Sequence, residues 1–150
     1  MVVMNTKNQL ENALKDAMRA GDDLRKRTIR MALSTIRLAE IDQGAPLDEA
    51  SVLSILQKEI KSRHEAIEDA RRANRPDLVE SSQAEIAVLQ EFLPKQLTME
   101  ELEALAKQAI AEVGATNVRE MGQVMKVLVP RLEGRAPGDQ ASQVVRRLLQ

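Results

Sequence analysis

An all-α fold is the reading that three observations support. Apolar residues recur at helical spacing through most of the 150 residues, and no segment alternates with period two for any length. Ala, Leu, Glu, Gln, Arg and Lys dominate the composition, and these residues lose little freedom in a helix. Capping residues and glycine stops bracket the periodic segments. The expected architecture is an N-terminal four-helix part, residues 1–96, followed by a small three-helix C-terminal domain, residues 97–150. Phe92 is the single aromatic residue, so Leu, Ile, Val, Met and Ala must build the core.

The first helix is announced by Thr6 with Gln9 three residues later, the spacing of a capping box. Leu10, Ala13, Leu14, Ala17 and Met18 form its apolar stripe, and Gly21 stops it. Asp22 or Asp23 caps the second helix, whose stripe is read as Leu24, Met31, Thr35 and Leu38. Ile29, Leu33 and Ile36 widen that stripe, which implies two partner helices, and Gly44 ends it. The third helix starts at an Asp48 cap with Leu47 stapled to Val52. Leu56, Ile60, Arg63, Ile67 and Ala70 continue one face to about Ala73.

Pro76 in "NRPD" suits the first turn of a fourth helix carrying Leu78, Ile86, Leu89 and Phe92 to near Leu93-Pro94. Pro94–Leu97 is the expected joint. Thr98 with Glu101 then caps a fifth helix, with Leu97 stapled to Leu102 and Gly114 as the stop. Asn117 with Glu120 opens a sixth, bearing Met121, Val124, Met125, Leu128 and Leu132. The last helix starts near Asp139 and packs Val144, Val145, Leu148 and Leu149.

Composition narrows the function classes. There is no cysteine, which removes disulfides, thiol catalysis and thiolate metal sites together. No apolar run approaches the roughly 20 residues of a membrane span. Met1–Met4 lacks the charged start and longer apolar stretch of a signal peptide. A soluble, cytoplasmic protein without a membrane partner is expected. The net charge of −1 gives no general affinity for nucleic acid, and DNA binding is not expected. Charge is nevertheless zoned: residues 98–112 carry four acids against one base, and residues 113–150 carry six bases against three acids.

The segments "KSRHEA" (61–66), "NRPDL" (74–78), "EIAVLQEFLPKQLT" (85–98), "MGQVMKVLVPRLEGRAPG" (121–138) and "VVRRLL" (144–149) resemble the YqeY family over nearly the whole chain. The C-terminal part of that family is similar to the tail domain of the B subunit of aspartyl/glutamyl-tRNA amidotransferase. The resemblance implies a two-part helical protein and a partner that is tRNA or a tRNA-processing protein. It also implies a family-level link to carbon–nitrogen ligase activity with glutamine as amide donor. Family members read Gly-Arg-Ala-Asp-Gly where this chain has Gly134-Arg135-Ala136-Pro137-Gly138. That departure is expected to alter the turn before the last helix and not the fold.

Amide transfer needs an activated nucleophile and a site for ATP and metal. The chain has no Gly-rich phosphate loop, and Ser34, Ser51, Ser54, Ser62, Ser81, Ser82 and Ser142 all lie in helical patterns. No catalytic residue, cofactor or metal site is therefore expected. His64 is the only histidine, and Glu68 beside it pairs more simply with His64 or neighbouring bases than with a metal.

Arg63 falls on an apolar stripe and must be paired there, with Glu85 or Glu91 on the fourth helix as candidates. Basic clusters at Arg25-Lys26-Arg27-Arg30 and Arg71-Arg72-Arg75 are interleaved with acids, and a solvated face is their default reading. Lys126, Arg131, Arg135, Arg146 and Arg147 are the candidate contacts to RNA phosphates. Gly122 costs roughly 1 kcal/mol of helix stability relative to Ala, an expense explained if another helix backbone approaches it. Pro130 should kink or shorten its helix just after Val129. The leading expectation is a non-catalytic helical module associated with tRNA or tRNA-dependent amidation machinery. The rival is a protein–protein adaptor without RNA binding.

Overall fold

The computed structural model describes residues 5–150, and the signal-peptide reading of Met1–Met4 lies outside them. Seven α-helices follow one another: α1 Thr6–Ala20, α2 Asp23–Gln43, α3 Glu49–Arg72, α4 Pro76–Gln90, α5 Met99–Val113, α6 Met121–Leu132 and α7 Gly138–Leu149. A 3-10 turn, Val118–Glu120, leads into α6. The described residues contain no strand. The chain divides into two compact units, Met1–Leu93 and Pro94–Gln150.

The ends of the helices are set locally. Asp22, Asp48 and Thr98 each accept a hydrogen bond from the backbone N–H three residues on, and Thr98 with Glu101 completes a capping box. Gly21, Gly44 and Gly114 end α1, α2 and α5 with φ of 69°, 74° and 75°, a region open to glycine without a Cβ clash. At α1 the cap is Asn5 and not Thr6: the Asn5 carboxamide accepts from the Asn8 N–H. Thr6 turns inward instead, and its N–H and hydroxyl both donate to the Glu49 carboxylate at the start of α3.

In the first unit α3 packs on α4, and α2 contacts α1, α3 and α4. Leu10, Ile29, Ala32, Ile36, Val52, Leu56, Val88 and Leu89 form the core. The choice of stripe on α2 is a correction to the sequence reading. Ile29, Ala32 and Ile36 face inward, whereas Met31 and Leu38 lie on the solvent side. Both sets recur at helical spacing, and only the positions of α1, α3 and α4 decide between them.

In the second unit α5, α6 and α7 pack pairwise around Leu102, Ala106, Val124, Leu128, Val145 and smaller neighbours. Residues 95–97 belong to it, because the Leu97 N–H donates to the Arg135 carbonyl (2.8 Å) and the Gln96 amide donates to the Gly134 carbonyl (3.1 Å). Asn117 caps the 3-10 turn, and α6 follows without a side-chain cap of its own. Pro130 does not end α6, which runs on to Leu132. It sits in the last turn, where one missing N–H removes a single bond. Pro137 occupies the N-cap position of α7 and offers no side-chain acceptor there.

Gly122 also departs from expectation. It is exposed, and a Cβ added to it would meet nothing within 4 Å. No neighbouring backbone requires the glycine. Gly122→Ala should therefore stabilise the protein by about 0.5 kcal/mol through the loss of unfolded-state freedom. Thermal unfolding followed by circular dichroism checks this, and a lowered melting temperature would show that the position is crowded after all.

Candidate functional site

The five candidate cations of the second unit are drawn from α6, the turn after it and α7. α5, against which α6 and α7 pack, carries Glu100, Glu101, Glu103 and Glu112. Three of the five reach these carboxylates. Arg131 donates to Glu112 at 2.5 Å, Arg147 lies 3.2 Å from Glu103, and Arg135 lies 3.7 Å from Glu101. The hydrogen bond from Arg131 holds the Glu112 carboxyl below its ordinary value and raises the Arg131 guanidinium correspondingly. Glu101 is also held low, first by the Thr98 hydrogen bonds of the capping box and then by the charge of Arg135.

Arg135 has a further task, since its Nε donates to the Lys95 carbonyl at 3.1 Å. With the Leu97 and Gln96 bonds, this guanidinium ties the Gly-Arg-Ala-Pro-Gly turn to the start of the unit. Lys126 and Arg146 are different. Both are exposed, and neither has a carboxylate within ion-pair distance among the described residues. The structure thus separates the five cations into three engaged with α5 and two facing solvent.

In the first unit Arg63 is buried, as its place on the apolar stripe of α3 requires. Its Nε donates to Glu85 of α4 at 3.0 Å, and a terminal nitrogen donates to the Glu59 carboxylate at 2.7 Å and the Glu59 carbonyl at 3.0 Å. Glu85 also lies 3.5 Å from Arg27 of α2, and the Thr35 hydroxyl of α2 donates to Glu59 at 3.2 Å. The network joins α2, α3 and α4 around one guanidinium. Glu91 takes no part in it. It pairs with Arg25, whose guanidinium stands 5.8 Å from the centre of the Phe92 ring. Glu59 was missed in the sequence, although its i,i+4 spacing to Arg63 was the available signal.

His64 is exposed and lines a shallow groove with Ile67, Glu68, Arg71, Gln83 and Ile86. Glu68 pairs with Arg71 at 2.9 Å. Among the described residues no three His, Cys, Asp or Glu side chains cluster where a metal ion could be held. No described helix is long and apolar enough to cross a membrane.

A family model described as Yqey-like protein matches residues 7–149. Several relatives carry the name altered inheritance of mitochondria protein 41, mitochondrial. That of Lachancea thermotolerans is 43% identical over 99 residues, 65% of this chain and 53% of its own. That of Eremothecium gossypii is 36% identical over 111 residues, 72% of this chain and 61% of its own. The one from Pyrenophora tritici-repentis is 33% identical over 130 residues, 85% of this chain and 71% of its own. The matched region spans about half the length of the first of these relatives. The expected cytoplasmic location does not stand against relatives named as mitochondrial. The physical reason is that composition and the lack of cysteine report solvent and redox conditions, not an address.

Removing one partner of the Arg63 network leaves buried charge uncompensated. Arg63→Ala should cost about 3 kcal/mol in urea unfolding. Arg63→Lys should also destabilise, because an ammonium lacks the planar fork that spans two carboxylates. Glu91→Gln, removing an exposed partner, should cost less than about 1 kcal/mol. An unchanged unfolding midpoint for Arg63→Ala would remove the network from the structural account.

The Glu112 pair has a pH signature. A carboxyl held below its ordinary value of 4.5 adds stability that is present above that pH. The contribution is lost as pH falls through the lowered folded value. Carboxyl NMR titration of Glu112 should give a midpoint below 4.5 that returns toward 4.5 in Arg131→Gln. The same midpoint in both proteins would mean that the ion pair does not form in solution.

Proposed function

From the premise that this chain belongs to the YqeY family, we propose that it is a non-catalytic helical module of tRNA-dependent amidation machinery. It would act beside a glutamine-dependent carbon–nitrogen ligase, meeting tRNA through the cations of its second unit. What supports this reading is the resemblance of residues 121–138 and 144–149 to the YqeY family, whose C-terminal part is similar to the amidotransferase B-subunit tail, a module that helps to hold tRNA. The same segments carry Lys126 and Arg146, the two candidate cations that α5 leaves to solvent.

The chemistry of such contacts is limited in a useful way. A lysine and an arginine on exposed helix surfaces reward phosphate, not a particular base, so recognition would follow the shape of the folded RNA. With no aromatic residue in the second unit, stacking on unpaired bases has no platform there. The non-catalytic part of the reading rests on side-chain chemistry. Amide transfer needs a nucleophile and an acyl-activating phosphate site, and the sequence offers neither a cysteine nor a Gly-rich phosphate loop.

Two phosphate contacts on duplex RNA would give a log–log salt slope of about −1.8, and losing one should reduce its magnitude by about 0.9. Filter binding of the full chain to folded tRNA should show that slope. Lys126→Ala and Arg146→Ala should each lower it across tRNA species, with helicity retained. Binding that ignores both substitutions, or stoichiometric capture of a protein without RNA, would move the reading to a protein–protein adaptor.

A further inference from the structure

α2 has a second apolar stripe on the side opposite its buried one. Met31 is 52% exposed, Leu38 63% and Ile41 68%. With Ser34 they occupy positions 31, 34, 38 and 41, alternating steps of three and four that form a straight seam along one helix face. At 1.5 Å per residue the seam from Met31 to Ile41 is about 15 Å long, or just under three turns. Met18 of α1, 54% exposed, extends the apolar surface sideways, with the Arg30 guanidinium 3.8 Å from its sulfur.

The two sides of this seam differ in charge. Arg30 and Arg37 border one side of it; Arg27, paired with Glu85, continues its line toward Asp23, and on the other side Thr35 reaches Glu59 and Asp42 stands beside Ile41. Arg27 is shared with Glu85, but Arg30 and Arg37 have no carboxylate within ion-pair distance among the described residues. Beside the small Ser34 side chain lies a groove of about 680 Å³ walled by Asp23, Lys26, Arg27, Arg30 and Met31. A large apolar side chain can seat there next to the polarizable, adaptable Met31.

We propose that the outer face of α2 is a docking surface for an amphipathic helix of a partner protein, one whose apolar stripe is bordered by carboxylates on the side that faces Arg30 and Arg37. The seam spacing matches the i, i+3, i+4, i+7 anchors with which one helix meets another. Arg30 and Arg37 select the sign of the flank that meets them, because like charges set against them are costly. An antiparallel second copy using the same face would bring arginine against arginine, whereas a parallel one would set Arg37 against Asp42. RNA phosphates would satisfy the arginines and leave Met31, Leu38 and Ile41 without reward. The surface lies on other residues than the tRNA contacts proposed above, so either proposal can fail alone.

Two synthetic 18-residue helical peptides with the same leucine stripe, one flanked by Glu and the other by Lys, test this against the full chain. Fluorescence anisotropy should show the Glu peptide binding at least tenfold tighter, with amide NMR shifts concentrated on Arg27–Ile41. Leu38→Glu should weaken it at least tenfold. Arg30→Glu with Arg37→Glu should do the same and bring in the Lys peptide. These side chains are exposed, so circular dichroism should confirm unchanged helicity. Equal binding of both peptides, shifts centred elsewhere, or no effect of Leu38→Glu would overturn the proposal. So would self-association lost in Leu38→Glu, or binding of tRNA or phosphatidylglycerol vesicles at this face in place of the Glu peptide.

Discussion

A guanidinium in an aliphatic interior must be compensated, and the first unit is arranged around that requirement. Arg63 sits on the stripe of α3 that also carries Leu56 and Ile67, where little water reaches it. Glu59 comes from the same helix one turn earlier, Glu85 from α4, and Arg27 and Thr35 attach α2 to the two carboxylates. Leucine, isoleucine and alanine pack in many nearly equivalent ways, because dispersion has little direction. The ion pairs have direction. They set the register of three helices in a core that holds no aromatic side chain beyond Phe92 at its margin. Replacing the whole network by apolar residues could be neutral in stability, whereas breaking one arm of it cannot.

The second unit uses charge differently. Its sequence is zoned, acidic along α5 and basic afterwards, and folding lays the zones against each other. Arg131, Arg135 and Arg147 turn toward Glu112, Glu101 and Glu103, so a locally basic segment does not become an equally basic surface. These pairs are partly exposed and screened, and each contributes modestly. Their functional consequence is larger than their energetic one. They leave Lys126 and Arg146 as the cations of that group available to an anionic partner, and they give Arg135 a role in closing its turn against Lys95.

α2 links architecture to function, since it serves two environments at once. Its inner face supplies Ile29, Ala32 and Ile36 to the core, and its outer face holds an apolar seam with Arg30 and Arg37 along one side. A helix that needed only solvation on its outer side would carry glutamate and lysine there. Membership of the YqeY family gives the chain its relatives, some of them named for the inheritance of mitochondria. The outer seam gives it a surface with a definite chemical preference.

Helix ends were legible in the sequence because they are decided within three or four residues. Asp22, Asp48 and Thr98 reach their own backbone, and Gly21, Gly44 and Gly114 relieve a local clash. Asn5 displaced Thr6 as a cap for a non-local reason, since Glu49 draws Thr6 from 43 residues away. Burial of Arg63 could be read from its stripe, and the family from motifs spread over most of the chain. The chosen stripe of α2, the pairing of Arg25 with Glu91 across 66 residues and the open space at Gly122 could not. By itself, then, the sequence determined the helices and most of their ends through contacts of a turn or less, and the family through motifs along the chain. Only the tertiary structure decided which faces are buried and which cations remain free, because packing and ion pairing depend on neighbours that the fold brings together.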